Sequence, residues 1–315
     1  MKFGRTCQLS LEVAAPPPLK SQNLTLASPP LTIDFDVNRQ SLSSASNATF
    51  VIKNLNSQET RDLIYKDRYN ITQYRAVQFR AGYDGYASTG VPAALSQNAN
   101  SGSGRTQPLL FNGNIFSAYS EKISGTDDSI TTIECQDGGF ARVNGLTTTT
   151  VSGKSTQQIL SDLAASLPMI SGRALISLFS GGPKRGFPMI GSTWDLLQQL
   201  SGGKAIIDNN QVKILADNDV VDGDLLVINR ASGLLGSPRR SDSQIEFDML
   251  FEPRLTIGQY VKLDSVFNSI LNGIYKVMGL HHRGTISPRV AGEPARTTVS
   301  LWLGDQALNW QNPIR

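Results

Sequence analysis

Apolar and polar residues alternate along many short segments of the chain. Residues 245–249 read Ile, Glu, Phe, Asp, Met, and residues 33–37 read Ile, Asp, Phe, Asp, Val. Because successive side chains of a β-strand point to opposite faces, this period of two predicts half-buried antiparallel strands. Gly, Ser, Thr and Asn are abundant, which suits many strands joined by turns. The chain is therefore predicted to be mainly β.

Three late segments repeat three early segments in the same order. The matched pairs are residues 33–37 with 245–249, 111–116 with 271–275, and 131–135 with 297–301. The second pair shares an Asn-Gly dipeptide, Asn112-Gly113 in one copy and Asn272-Gly273 in the other. Asn-Gly supplies the positive φ angles of a tight turn, so a hairpin turn is predicted at both places. Three matches in one order predict two related β-domains.

Capping residues predict where helices begin. Asn56 with Glu59 indicates a short helix in the first β-domain, and Ser155 with Gln158 indicates a second helix further along. In each pair the first side chain accepts from a backbone N–H of the helix, and the second reaches back to the cap. Ser192 opens a third helix in the same way.

A small α+β insert is predicted between the two β-domains. It contains two of these helices and a hairpin that turns at residues 209–210, and residues 225–240, rich in glycine, are predicted to link it to the second β-domain. The predicted boundaries are 1–140 for the first β-domain, 141–240 for the insert and 241–315 for the second β-domain.

Each β-domain is predicted to carry one long hairpin loop. Residues 86–107 are rich in Gly, Ser, Ala and Asn without periodicity, and residues 284–294 are polar and contain proline. Loops of this length are usually functional or disordered, so contact with a partner protein and a floppy tip both remain open. The candidate contact residues are Tyr86, Arg105, Gly284, Arg289 and Glu293.

Few residues are placed for catalysis or metal binding. His281 and His282 are the only histidines. Neighbours in a strand point to opposite faces, so the two cannot easily share one metal or one active site. Cys7 and Cys135 lie far apart and are predicted to be buried free thiols of a protein that folds in a reducing compartment. No catalytic residue, cofactor or metal site is predicted.

Paired carboxylates occur on the polar positions of matched strands. They are Asp34 with Asp36 and Glu246 with Asp248. Two carboxylates at a suitable separation can hydrolyse a glycosidic bond, so a peptidoglycan hydrolase remains the less favoured alternative. Because the acids recur in both copies of the repeat, a shared architectural face explains them better than a single active site.

Net charge and hydropathy give no indication of a nucleic-acid-binding or membrane protein. The formal net charge is +3, which is too small to indicate a nucleic-acid or membrane-surface protein. No segment approaches the roughly 20 apolar residues that span a bilayer. The sequence therefore predicts no membrane-spanning segment.

The strand segments also resemble a known family. Residues 33–37, 48–55, 57–66, 81–85, 111–115 and 130–134 resemble the opening domain of baseplate hub proteins of contractile-tailed bacteriophages. Residues 245–253, 258–265 and 272–284 resemble the second, tail-tube-like domain of the same proteins. The insert matches in position and size.

The resemblance implies a structural protein of the virion that is assembled in the host cytoplasm and is not an enzyme. Its fold would contain two related antiparallel β-barrel domains per subunit. Three subunits would form a pseudo-sixfold homotrimeric ring between a hexameric tail tube protein and a trimeric spike protein, in contact with other baseplate proteins. Genomic DNA would cross its channel, which the four paired acids would face. Another tail-end ring, a tube initiator or terminator, is the alternative.

Overall fold

Strands dominate the part of the chain that the computed structural model describes. It describes residues 4–14, 21–41, 45–55, 75–83, 107–170, 175–176, 179, 181, 186–215, 219, 221, 225–241, 243–288 and 292–303. The helix expected after Asn56 and the loop residues Tyr86, Arg105 and Arg289 lie outside these ranges.

The first β unit contains strands β1 to β7. Their bounds are β1 (Arg5–Ala14), β2 (Ser21–Ser28), β3 (Thr32–Gln40), β4 (Asn47–Lys53), β5 (Ala76–Tyr83), β6 (Leu109–Lys122) and β7 (Ser129–Gln136). The connecting unit contains α1 (Gly139–Asn144), β8 (Leu146–Val151), α2 (Thr156–Ser166), β9 (Leu175–Ile176), β10 (Phe187–Ser192), α3 (Thr193–Ser201), β11 (Ala205–Asp208) and β12 (Gln211–Ile214). The second β unit contains β13 (Leu226–Ile228), β14 (Leu234–Ser241), β15 (Gln244–Leu250), β16 (Tyr260–Leu263), a 3-10 turn (Ser269–Leu271), β17 (Gly273–Ile286) and β18 (Arg296–Trp302).

One 13-stranded sheet contains the strands of both β units. Its order is β14-β15-β18-β17-β3-β4-β7-β6-β5-β1-β2, with β16 pairing with β17 and β13 pairing with β16. Nearly all neighbours are antiparallel, and the exception in this sheet is β13 with β16. The prediction of a mainly β, antiparallel fold is confirmed. Closure of each unit into a barrel stays a prediction.

The two β units share a strand order. In the first unit the order is β3-β4-β7-β6-β5, and in the second it is β14-β15-β18-β17-β16. The registers agree as well, because Cys135 of β7 faces Ala48 and Ile115, while Leu301 of β18 faces Ile245 and Val277. In both units the pairing register then shifts at the next residue, after Ile115 between β6 and β7 and after Val277 between β17 and β18. A duplicated unit is therefore present in the backbone pairing.

The pairing corrects two of the three sequence matches. Residues 131–135 do correspond to 297–301, but β15 occupies the place of β4 rather than of β3. Alternating apolar strands look alike in sequence, so the pattern of residues 245–249 could not distinguish the two. The Asn-Gly match is displaced by two residues, since Gly273 corresponds to Phe111.

The predicted Asn-Gly hairpin turns are wrong. Asn112 and Gly113 lie inside β6, and Gly273 is the first residue of β17. Close packing explains Gly113, because a Cβ there would lie 2.7 Å from the carbonyl oxygen of Gln136. Asn272 precedes its strand and accepts a hydrogen bond from the Ser265 N–H.

Residues 225–240 are more than the predicted link. They contain β13 and β14, which pair with β16 and β15 of the second β unit. Gly236 and Pro238 fall in a bulge of β14, where the register shifts between Leu235 and Arg239. Glycine and proline in a strand mark a bulge or an edge, which is why this segment resembled a loop in sequence.

The connecting unit follows its predicted local signals. Ser155 accepts from the Gln158 N–H and its own N–H donates to the Gln158 side chain, which is a complete capping box at the start of α2. Ser192 caps α3. Asn209 and Asn210 both have positive φ angles in the turn between β11 and β12. Two small sheets, β8 with β10 and β9-β12-β11, pack with the helices.

Three apolar cores lie beneath these elements. The first is rich in phenylalanine and receives Phe251, Ile286 and Ala295 from the second β unit. The second core lies under β14 to β18, and the third lies between α2, α3 and the small sheets. Phe251 packs on Phe35 and accepts a hydrogen bond from Tyr83 at its carbonyl. The two β units are therefore joined by side chains as well as by strand pairing.

Candidate functional site

The four candidate acids lie on the polar face of the large sheet. Asp34 and Asp36 alternate with buried residues of β3, and Glu246 and Asp248 alternate with buried residues of β15. One row of paired residues crosses the junction of the two β units. In this row Asp248 pairs with Thr298, Thr298 pairs with His281, and His281 pairs with Asn38. The four acids therefore share one face, although β3 and β15 are not equivalent strands.

This face carries both signs of charge. Asp34 pairs with Lys53 at 2.9 Å, and Asp36 lies 2.8 Å from the His281 Nε2. Glu246 is 3.8 Å from Arg239. Because Lys53, His281 and Arg239 lie beside these acids, the polar face is mixed in charge rather than acidic.

The two histidines occupy opposite faces, as the sequence predicts. His281 is partly exposed beside Asp36. His282 is fully buried, and its Nδ1 lies 2.9 Å from the Thr297 hydroxyl. Burial, followed by the charges of Arg39 and His281, lowers the pKa of His282 to about 3, so this imidazole is neutral in the folded protein.

The candidate contact residues of the second loop are placed differently from the prediction. Gly284 is buried within β17, and a Cβ on it would lie 2.3 Å from the Ala295 Cα. The loop therefore begins after Ile286, and Gly284 is not a surface contact. The Glu293 carboxylate lies 3.6 Å from the Arg283 guanidinium. The Glu293 carbonyl accepts from the Thr285 N–H, and the Glu293 N–H donates to the Thr285 hydroxyl, so this residue belongs to the base of the hairpin.

A buried ionic cluster joins β3 to the connecting unit. Arg39 donates from two guanidinium nitrogens to Asp208 at 2.8 Å, and Lys213 donates to the same carboxylate. All three side chains are almost completely buried. Burial acts to raise the pKa of Asp208, but the two cations outweigh it and lower the pKa to about 2. The cluster therefore stays ionised and fixes the β11–β12 hairpin on the first β unit.

A second buried carboxyl lies beside this cluster. Asp137 follows β7 and accepts from the Asn210 N–H at 2.8 Å. Burial, together with the negative charge of Asp208, raises the pKa of Asp137 to about 7. Its carboxyl therefore changes charge near neutral pH.

Sequence reasoning missed this cluster, although β3 carries a signal for it. Ile33, Phe35 and Val37 mark the buried face of β3, and Arg39 continues the same period of two. A charged residue at a core position requires a buried partner. The sequence does not identify that partner, because Asp208 is distant along the chain.

Other kinds of site find no support among the described residues. They contain no group of three or more His, Cys, Asp or Glu placed to hold a metal ion. Within the same ranges, no helix is long and apolar enough to cross a membrane. Cys7 and Cys135 are buried and free. Burial raises the pKa of the Cys7 thiol to about 12, so this thiol is protonated and unreactive.

Solved structures with the same fold come from phage tails and related machines. A tail protein from Neisseria meningitidis MC58 matches with a TM-score of 0.58 and 11% identity, over 96% of this chain and 98% of its own. The 43 kDa tail protein of prophage MuSo2 from Shewanella oneidensis matches with a TM-score of 0.58 and 10% identity, over 95% and 98%. The E. coli c3393 protein, a component of the type VI secretion system, matches with a TM-score of 0.53 and 10% identity, over 87% and 74%.

Family membership rests on the sequence itself. No curated protein matches the chain by sequence. The family model described as baseplate hub gp41 matches residues 18–285, which is most of the chain. The chain belongs to the baseplate hub gp41 family, a structural and non-enzymatic component of the phage tail.

Proposed function

We propose that this hub forms a homotrimeric ring with pseudo-sixfold symmetry around the DNA channel. In this arrangement the ring joins a hexameric tail tube to a trimeric spike. The observation that carries the proposal is the duplicated strand order with matched registers. Two similar units in each of three chains present six similar positions, which is what a sixfold tube requires from a threefold adaptor.

We also propose that the polar face of the sheet lines the channel. Its acids are offset by nearby cations, as in the pairs Asp34 with Lys53 and Asp36 with His281. A strongly basic wall would bind the phosphates of passing DNA through counterion release and slow its movement. A mixed face that includes Glu246 and Asp248 avoids this.

Contacts with neighbours are assigned to the hairpin loops. Residues 86–107 lie between β5 and β6, and the loop after Ile286, with Glu293 at its base, lies between β17 and β18, so the two loops occupy non-equivalent positions in the two units. They are proposed to contact the tail tube, the spike and other baseplate proteins, and assembly is proposed to take place in the host cytoplasm. The three-unit division 1–140, 141–240 and 241–315 belongs to the same proposal, with the second boundary moved from residue 240 to residue 225 because β13 and β14 pair with strands of the second β unit.

Native mass spectrometry of the purified full chain tests the ring. We expect an assembly of three copies of the 34.1 kDa chain, with threefold symmetry in averaged electron micrographs. Six copies would favour a tube initiator or terminator instead. A chain that remains monomeric at every concentration contradicts both proposals.

A further inference from the structure

The junction of the two β units shows how one unit pairs with another. The first half of β17 pairs with β16 through Gly273 to Lys276. The second half pairs antiparallel with β3, from Gly279 opposite Gln40 to Ile286 opposite Ile33. One edge of β17 is therefore shared between a strand of its own unit and a strand of the next unit.

In β6, the equivalent strand of the first unit, half of this edge has no partner among the described strands. The first half of β6 pairs with β5 as far as Asn114. Residues 117–122 pair with β7 on one side. Among the strands that the structure describes, none pairs with residues 117–122 on the other side. The corresponding edge of β17 is the one that pairs with β3.

The equivalent of β3 is also at an edge. β14 stands at the end of the sheet order, and β15 is its one partner among the described strands. Exposed strand edges are templates for pairing with another chain. The chain therefore presents both halves of a joint that it has already made once internally.

We propose that residues 119–121 of one copy pair antiparallel with residues 239–241 of β14 in a second copy, in the register of β17 with β3. This inference rests on the proposed ring. The internal joint places His281 opposite Asn38 and Arg283 opposite Asp36. The equivalent positions place Tyr119 opposite Ser241 of the partner subunit and Glu121 opposite Arg239 of the partner subunit.

The charges at the proposed joint are complementary. Arg283 and Asp36 face each other inside the chain, and Glu121 with Arg239 of the partner subunit reverses the same pair. The Arg239 side chain is 71% exposed, and its internal contact with Glu246 is long, at 3.8 Å. Opposite charges directly across two strands favour one register over others.

The bulge in β14 limits the length of the joint. The register shifts between Leu235 and Arg239, and the Pro238 carbonyl accepts from the Asn268 side chain. Bulges and prolines prevent an edge from pairing indiscriminately. The proposed pairing therefore begins at Arg239 and uses the end of β14 that lies beyond the bulge.

This joint connects chains head to tail. The β6 edge belongs to the first unit and the β14 edge to the second, so each copy offers a different edge to each neighbour. Head-to-tail contacts of this kind close into a ring when the rotation fits. Internal and external joints then alternate around it.

Disulfide trapping in the full chain tests the pairing. Tyr119→Cys with Ser241→Cys should give covalently linked oligomers under mild oxidation, because the two positions face each other only between copies. Asn38→Cys with His281→Cys is the matched internal control and should link within one chain. Tyr119→Cys with Leu235→Cys, out of register, should link about tenfold less. The native thiols are buried.

Charge reversal provides a second measurement. Glu121→Arg should weaken assembly about tenfold, and Glu121→Arg with Arg239→Glu should restore it. If the ring forms but shows neither cross-linking nor this rescue, the pairing is wrong and the ring stands. If no ring forms at any concentration, the ring and the pairing both fail.

Discussion

The buried carboxylates are the residues on which the internal architecture depends most. Asp208 neutralises Arg39 and Lys213, which are both buried. Breaking a buried ion pair leaves a charge without compensation, which costs more than the pair itself contributes. The connecting unit is therefore fixed to the first β unit by a contact that tolerates little change.

Asp208→Asn should destabilise the chain by about 3–5 kcal/mol, since it leaves two buried cations uncompensated. Urea unfolding at fixed protein concentration measures the loss. Asp162→Asn is the matched control, because its pair with Lys154 is about half exposed on both sides. That change should cost less than about 1 kcal/mol. Equal effects of the two changes would contradict the structural role of Asp208.

Asp137 should make stability depend on pH near neutrality. Its pKa is about 7 in the folded protein against an ordinary value of 3.8. Its contribution to stability is therefore complete below pH 3.8 and is lost as the pH rises through 7. Asp137→Asn is neutral at every pH. Its free energy of unfolding relative to the wild type should therefore rise by on the order of 2–4 kcal/mol as the pH increases from 4 to 8.

The difference between variant and wild type isolates Asp137 from His282. The lowered pKa of His282 gives a contribution that is present above pH 6.5 and lost as the pH falls towards 3, which is the opposite slope. Both proteins contain His282, so its effect cancels. A difference that stays constant from pH 4 to 8 would show that Asp137 is ionised in the fold.

At the scale of the element, β6 shows how packing overrides a local signal. Asn112-Gly113 is a turn sequence placed inside a strand. Gly113→Ala should destabilise the chain by about 1–3 kcal/mol, because the added methyl meets the Gln136 carbonyl and the Asp137 Cα, and backbone cannot easily give way. Thermal unfolding measures this.

Gly82→Ala is the control for Gly113→Ala. It lies in the neighbouring strand β5, and its added methyl would meet the Pro108 Cδ at the milder distance of 3.3 Å. Its effect should be less than half that of Gly113→Ala. The reverse order would show that β6 can move away from β7.

Strands with regular alternation could be predicted from sequence, and irregular ones could not. β15 and β18 were evident from their period of two. β14 was not, because its bulge and its exposed Arg239 and Arg240 resemble a loop. The sequence also could not show which strands of the two units correspond, because the equivalence of β15 and β4 follows from backbone pairing alone. Arg39 and Asp208 show the same limit for contacts that join distant segments.

At the scale of the whole molecule, the proposed channel wall can be tested by its charge. Asp36→Lys with Asp248→Lys should slow DNA ejection from phage particles at low salt, and added salt should reverse the effect by screening the phosphate contacts. Asp162→Lys, on α2, is the control and should leave ejection unchanged. Unchanged ejection with the double variant at every salt concentration would place the polar face away from the DNA.

The joint between β17 and β3 also determines how the hub can deform. Backbone hydrogen bonds along eight residue pairs, rather than a flexible linker, connect the two units of each chain. A force that pulls the two β units apart along the strand direction acts on all of these hydrogen bonds at once, so the two units respond to it as one rigid body. In the proposed ring, any widening that lets DNA out would then come from the interfaces between subunits, where the proposed pairing has fewer hydrogen bonds.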